Sequence, residues 1–447
     1  MDDLVLKLFS HLSYSADAIV PHDHVHIFSH HDADGISAAI ILAKTMMRCG
    51  KSFTVSLLST LNDETIKEIE TCGSKCIIIA DMGASYIGRL DRMNADIIVL
   101  DHHKGSEEPK RIHYTNPHSF GIDGQDGGCG ASVSFLFAIA VNERNWDLVQ
   151  VAFAGIVGDK QHLKGFTGIN EYLFAEGRRK GFIATKEGSL IPEGELVSSL
   201  YRSTEPYIRG VSGNAEGVAA LLRDASVAST RSADLNDAER RKLSSLIAAK
   251  LLKQNVSKDV MEELCIPSYA LKDWEMDAAS FASLLNSCGK SGAGGVAVGL
   301  GLGDKKCLSD AIVKDNEMRN MIVNALTEMD KRGIEERTNI RCFENASSGF
   351  TGTLCEILMR FTGDGRRPTV GYSVSDNITK ASARCTHAIL NKGVDLSFAM
   401  RKAGELAGGG GGGHKIASGA WFPPGNEKLF LEALDRIIGE QFSATSR

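Results

Sequence analysis

Short β-branched runs that stop at acids or histidines constrain this chain most. "HVHIF" (24–28) leads into "SHHDADG" (29–35), "KCIIIAD" (75–81) ends on Asp81, and "ADIIVLD" (95–101) opens into "DHH" (101–103). With "FTVSLL" (53–58) between the first two, and the helix-length "GISAAIILAKTMMR" (35–48) after the first, the pattern predicts an α/β domain. Its strands should form a parallel sheet with helices on its faces. Ligands of such sheets gather beyond the carboxyl ends of the strands, so these acids and histidines should converge despite their separation in sequence.

Composition sets the outer limits. At 447 residues, and roughly 150 per domain, two or three units are expected. A hydrophobic share of 43% with 24% charged residues is ordinary globular material. The net charge of -6 excludes holding a polyanion by bulk charge, so any phosphate must be gripped locally. Ten cysteines without a repeating frame, and a start lacking a basic-then-apolar leader, predict reduced thiols in the cytoplasm. Cys72 and Cys76 have no second pair at zinc spacing. No apolar run approaches the roughly 20 residues needed to cross a membrane.

Beyond residue 200, "LNDAERRKLSSLIAAKLLKQN" (235–255) reads as a capped amphipathic helix, and "SDAIVKDNEMRNMIVNALTEMDKRG" (309–333) as a longer one ending at glycine. "NIRCFEN", "RPTVGYSV" and "KASARC" read as strands, with "TGTLCEILMRF" as a helix between the first two. The expected organisation is a catalytic domain over 1–200, a mainly helical segment over 201–304 completing the N-terminal lobe, a connector helix over 305–335, and a second α/β domain over 336–447.

Carboxylate oxygens mixed with imidazoles suit Mn²⁺ or Mg²⁺ better than a closed zinc site. Asp81 lies between the other two clusters in chain order and is the natural carboxylate to bridge two ions about 3.5–4 Å apart. A further apolar run in "AGIVGDKQ" (154–161) ends at Asp159, the expected last ligand.

In that order, "HHDADG", "IIIADMG", "LDHHKG" and "GIVGDKQ" resemble the four motifs of the DHH phosphoesterase superfamily. "GGGGGGHKIASG" (408–419) is similar to the glycine–histidine motif of the DHH-associated C-terminal domain. The resemblance implies an active site in the cleft between two α/β domains joined by a long helix. It makes His30, Asp32, Asp34, Asp81, His102 and Asp159 ligands to two ions, Mn²⁺ foremost and Mg²⁺ as the substitute. It sets His103 beside the substrate phosphate, and Asp101 as a support that fixes the histidine tautomers. Asp81, His103 and Asp101 are thus the expected catalytic set.

"STEPYIRGVSG" (203–213) and "LLNSCGKSG" (284–292) resemble segments of archaeal RecJ-like single-strand exonucleases. That implies substrate contacts from Asn286 and Lys290, the latter a lysine where the family has arginine, which meets phosphate as a point charge. Arg384 in "KASARC", Gly411, Gly412, Gly413 and His414 complete the implied substrate set. The implied activity is metal-dependent hydrolysis from an end of single-stranded DNA, or RNA, in replication or repair, with GINS as the implied protein partner. Two alternatives remain open: a phosphodiesterase for short oligonucleotides or cyclic dinucleotides, and a GINS-binding replication scaffold with little catalysis.

Other signals carry less. "GKS" (289–291) fails as a P-loop, because position 284 is Leu and the preceding segment reads as helix. His22, His24 and His26 would share one strand face, without an evident fourth ligand. Arg366 and Arg367 are candidates for a phosphate track. The six-glycine run has the composition of a linker, yet lies inside the last domain. The reading adopted is that Gly411–Gly413 form a clamp and that Gly408–Gly410 are slack.

Overall fold

The computed structural model describes residues 2–445 apart from 106, 347 and 364. The chain divides into two compact units, residues 1–187 with 267–315, and 188–266 with 316–447.

The first unit is built on five parallel strands in the order β2-β1-β3-β4-β5: β1 (His24–His30), β2 (Ser52–Leu58), β3 (Cys76–Ala80), β4 (Asp96–Leu100) and β5 (His113–Thr115). β3 is buried at every position, as a strand covered on both faces must be. The helix Ala33–Arg48 packs against Gly130–Val141 and Val149–Gly158 and buries almost every one of its residues. A small antiparallel sheet, β6 (Ile183–Lys186), β7 (Ser268–Leu271) and β8 (Met276–Asp277), closes this unit.

The second unit holds a six-stranded sheet in the order β13-β14-β12-β11-β10-β9. These strands are β9 (Glu335–Glu336), β10 (Arg341–Glu344), β11 (Thr369–Val374), β12 (Thr379–Arg384), β13 (Gly410–Gly413) and β14 (Ala417–Phe422), and only β10–β11 is a parallel pair. One face buries Ala381, Ala383, Ala420 and Phe422 with the helices Leu396–Leu406 and Glu427–Thr445.

The segment 201–304 does not act as one piece. Residues 267–304 belong to the first unit, where Phe281, Leu285 and Ala297 share a core with Ile36 and Ile40. Residues 188–266 belong to the second, because Leu243, Ile247 and Leu251 on one stripe of Asp237–Lys253 bury with Leu354, Leu358 and Phe361. Tyr207 and Arg209 of the 203–213 segment also bond Asp330, through the Tyr207 hydroxyl at 2.6 Å and Arg209 Nε at 2.9 Å. The connector helix Lys305–Arg332 contributes residues to both units.

The glycine run is neither linker nor slack. Gly408 (φ 86°) follows the helix Leu396–Leu406 in left-handed conformation, and the Gly408 and Gly409 N–H groups donate to the Glu405 and Gly404 carbonyls, a Schellman ending. β13 then pairs antiparallel with β14, with Gly410 opposite Trp421 and Gly413 opposite Ser418. A Cβ on Gly409 would lie 1.8 Å from the Trp421 carbonyl oxygen, so this position admits only glycine.

Candidate metal centre

Loops at the carboxyl ends of β1, β3 and β4, and the C-cap of the helix Val149–Gly158 at Asp159, bring the expected ligands together. Asp32 caps the helix Ala33–Arg48, accepting from the Gly35 N–H at 3.0 Å, and its other oxygen lies 3.0 Å from His30 Nδ1. Gly35 is required here, since a Cβ would meet the His30 carbonyl oxygen at 2.4 Å. Asp34 turns the other way, accepting from the Gly130 and Ala131 N–H groups at 2.7 and 2.8 Å. It thereby sits at the positive end of the buried helix Gly130–Val141.

Asp81 stands between two groups. Its Oδ2 is 3.8 Å from His30 Nδ1, and its Oδ1 is 3.2 Å from His102 Nε2. Among the described residues, three sets of possible ligand atoms each lie within 4.8 Å of one another: His30, Asp32 and Asp81; Asp34, His102 and Asp159; and Asp81, His102 and His103, which links the other two. Asp81 holds φ 57°, a left-handed conformation uncommon outside glycine and suited to a constrained functional position. Gly130 passes so close that a Cβ there would lie 2.5 Å from Asp81 Cβ.

The protonation pattern calls for a cation. The Gly124 carbonyl can only accept, so the 2.6 Å contact from His102 Nδ1 places that ring's proton on Nδ1 when the imidazole is neutral. Nε2 then turns its lone pair toward Asp81 Oδ1, which is buried and lacks a hydrogen-bond partner. Two acceptors facing each other at that distance need a proton or a metal ion between them. Burial, with the Asp34 and Asp32 carboxylates, pushes Asp81 well above the usual carboxylate range. Burial outweighs the pull of His102 on Asp159 and, with Asp34 and Asp32, raises it to about 7. A divalent cation removes both conflicts, and this donor set of carboxylates and imidazoles fits one.

Asp101 supports one histidine directly. It accepts from His103 Nδ1 at 2.8 Å and from the N–H groups of Ala84, His102 and His103. Burial disfavours its charge, but His103 and these N–H groups hold it at about 2; in return Asp101 lifts His103 to about 9 against the effect of burial. His103 is therefore a cation at neutral pH. The expectation that Asp101 fixes both rings needs correction, since His102 is oriented by Gly124.

Sequence reasoning missed a buried support behind the ligands. Gln161 Nε2 donates to Asp159 Oδ2 at 2.8 Å and to the Gly124 oxygen at 2.9 Å. Its own oxygen accepts from Asn170 Nδ2 at 2.6 Å, and Asn170 accepts from Ser132 at 2.5 Å. One amide thus steadies an acid and the carbonyl that orients His102. Outer partners of this kind are typically worth 10–100-fold in metal affinity. Gln161→Ala is expected to weaken Mn²⁺ binding by roughly that factor in calorimetry; unchanged affinity would remove Gln161 from the centre. The signal in sequence was only its place two residues after Asp159.

The expected substrate residues fall in both units. In the first, the Asn286 side-chain oxygen accepts from the Ala33 N–H at 2.9 Å, supporting the turn that carries Asp32 and Asp34. Lys290 ends the same helix and acts electrostatically on Asp32 and His31. Gly289 lets that helix pack directly on the His31 carbonyl. In the second unit, the Arg384 guanidinium lies at the first turn of the helix Thr351–Phe361, where a Cβ on Gly352 would come within 2.9 Å of Nη2. A guanidinium beside the positive end of a helix suits a phosphate. His414 is exposed at the β13–β14 turn, with Gly413 (φ 140°) just before it. Gly412 is open, whereas Gly411 faces the Met400 carbonyl.

His24 and His26 are not ligands here: they bond Ser52 and Ser56 on the neighbouring strand, and His22 pairs with Asp96. Arg367 is engaged by Glu336 and the Arg337 carbonyl.

Comparison with known proteins agrees with this geometry. Residues 24–157 match the DHH family, N-terminal domain, and residues 346–440 match the DHHA1 domain. An uncharacterised protein of Methanocaldococcus jannaschii is 31% identical over 444 residues, covering 97% of this chain and 95% of that relative.

Among the solved structures that share the fold are three that match nearly the whole of this chain. RecJ of Thermus thermophilus in complex with Mn²⁺ has a TM-score of 0.61 at 16% identity over 97% of this chain, which spans about half (55%) of that protein. An exonuclease RecJ bound to manganese has a TM-score of 0.60 at 17% identity, covering 97% and 94% of the two chains. CDC45 from Entamoeba histolytica has a TM-score of 0.63 at 14% identity, covering 97% and 98%.

Proposed function

The chain belongs to the DHH family, and from that premise we propose that it is a metal-dependent phosphodiesterase that removes nucleotides from an end of single-stranded nucleic acid, DNA before RNA. The observation that carries this reading is Asp81, whose two oxygens face two separate ligand groups, as a carboxylate shared by two ions would. His30 and Asp32 would serve one ion, and Asp34, His102 and Asp159 the other, with Mn²⁺ favoured and Mg²⁺ as the substitute.

Bound there, divalent ions supply Lewis acidity, both to acidify a water and to offset phosphate charge. The protein's own groups supply the rest. His103, held protonated by Asp101, would donate from Nε2 to a non-bridging phosphate oxygen as charge develops on it. Lys290 would add a second positive charge at the ligand loop. Arg384, the glycine hairpin and His414 would hold neighbouring nucleotides. A role in replication or repair beside GINS, in a reducing cytoplasm, completes the proposal; all ten cysteines are free. Among the described residues, no helix is long and apolar enough to cross a membrane.

The test is digestion of 5′- and 3′-labelled single-stranded DNA and RNA 20-mers with Mn²⁺, beside a dinucleotide and an Asp81→Ala control. Stepwise shortening of the 20-mers is expected. Preference for the dinucleotide would move the substrate to short oligonucleotides, and metal-dependent cleavage by the control would refute the mechanism. A complete ligand set disfavours the inert-scaffold alternative. A pull-down with GINS subunits that recovered none would remove that partner and leave the hydrolase reading intact.

A further inference from the structure

One face of the second unit's sheet is unlike the other. Side chains alternate along strands, so the burial of Ala381, Ala383, Ala420 and Phe422 under the helices Leu396–Leu406 and Glu427–Thr445 sets Lys380, Ser382, Arg384 and Trp421 on the opposite face, where the helix Thr351–Phe361 lies against Ser382 and Arg384 and leaves Trp421 exposed. Lys380 is directly opposite Trp421 in the β12–β14 register, and Gly410 is opposite Trp421 in the β13–β14 register. Trp421 is 53% exposed, and Lys380 is exposed as well.

The glycines shape this surface. A Cβ on Gly410 would sit 3.2 Å from the Trp421 ring, so the indole lies over bare backbone. Gly412, next on the same face, has nothing within 4 Å of where its Cβ would be. Gly409 and Gly411 serve the packing, pressed against the Trp421 and Met400 carbonyls. Alternate glycines thus do different work, one pair admitting backbone contacts and the other leaving a flat aromatic surface uncovered.

From this we infer that Trp421 is a base-stacking platform, which with Lys380 extends the track of a single-stranded polynucleotide along the sheet from Arg384. The inference rests on the single-strand substrate proposed above and adds a subsite to it. An exposed indole flanked by lysine and arginine, on strand positions that carry no carboxylate, complements a base and its phosphates better than an apolar protein surface. Stacking tolerates any sequence, because every base has a π face.

Tryptophan fluorescence gives the test. The other two tryptophans lie in the first unit against aromatic rings, Trp146 on Phe135 and Tyr172, and Trp274 on Phe281. Titration with dT20 should therefore quench mainly Trp421. Trp421→Ala should weaken dT20 binding roughly 10-fold, whereas Trp421→Phe should keep affinity within about threefold and lose the quenching. A 20-mer abasic throughout keeps the phosphates and should bind wild type about as weakly as dT20 binds the alanine variant. Lys380→Gln should reduce the salt slope of binding by about 0.7.

Quenching that persists in Trp421→Phe, or equal dT20 affinity for Trp421→Ala and wild type, overturns the inference. Strand digestion without these effects would refute the platform alone. Quenching without digestion would refute the hydrolase reading and leave the platform standing.

Discussion

Asp81→Asn is expected to abolish metal-dependent hydrolysis while raising the melting temperature of the metal-free protein. Asparagine is nearly isosteric with aspartate and is among the few residues that accept the left-handed backbone found at this position (φ 57°). It replaces a carboxyl whose ionisation burial, Asp34 and Asp32 all oppose by a neutral amide, so the metal-free fold no longer bears that cost. Stability without metal should therefore increase by a few degrees, the usual trade between stability and a strained site. Hydrolysis should fall about 10³-fold or more, beyond the roughly 10–100-fold typical of an outer partner such as Gln161. Melting curves with and without Mn²⁺ should show the metal-induced shift of wild type largely lost in the variant. Hydrolysis within tenfold of wild type, or an undiminished metal shift, would mean that Asp81 does not bridge the ions.

The second large effect concerns the glycine run. Gly409→Ala would drive a Cβ into the Trp421 carbonyl, where only backbone movement gives relief. A cost of about 1–3 kcal/mol or more, seen as a fall in melting temperature, is expected. Gly412→Ala is the internal control, because its Cβ would enter open space, and stability should hold or rise slightly. In a flexible linker the two substitutions would behave alike. Equal melting temperatures would therefore refute the strand assignment.

The recurrence of β-branched runs predicted β1 to β4 to within a residue or two, and β3 and β4 most plainly, since central parallel strands are continuous apolar segments. The helix Asp237–Lys253 and its capping signal at Asn236 were equally readable. β13 was not: a strand of glycines has no side chains, so neither propensity nor alternation can mark it. The small sheet β6-β7-β8 was also missed, as its strands have two to four residues and β6 lies far from β7 in the chain.

The metal centre divides in the same way. Which residue types stop the strands is local information, and in a parallel sheet strand ends lie on one edge, so the gathering of His30, Asp32, Asp81 and His102 was legible. Their division into two groups about Asp81 depends on side-chain direction, which the chain order only hinted at. The choice of Gly124 to orient His102, and of Gln161 to hold Gly124 as well as its near neighbour Asp159, depends on contacts to Gly124 from residues 22 and 37 positions away. Sequence by itself determined which acids and histidines could serve as ligands, because donor chemistry belongs to the residue type. Tertiary structure alone decided their protonation, their supports and the bare aromatic face beside the glycines, because a hydrogen bond or a close backbone approach exists only once distant segments have packed.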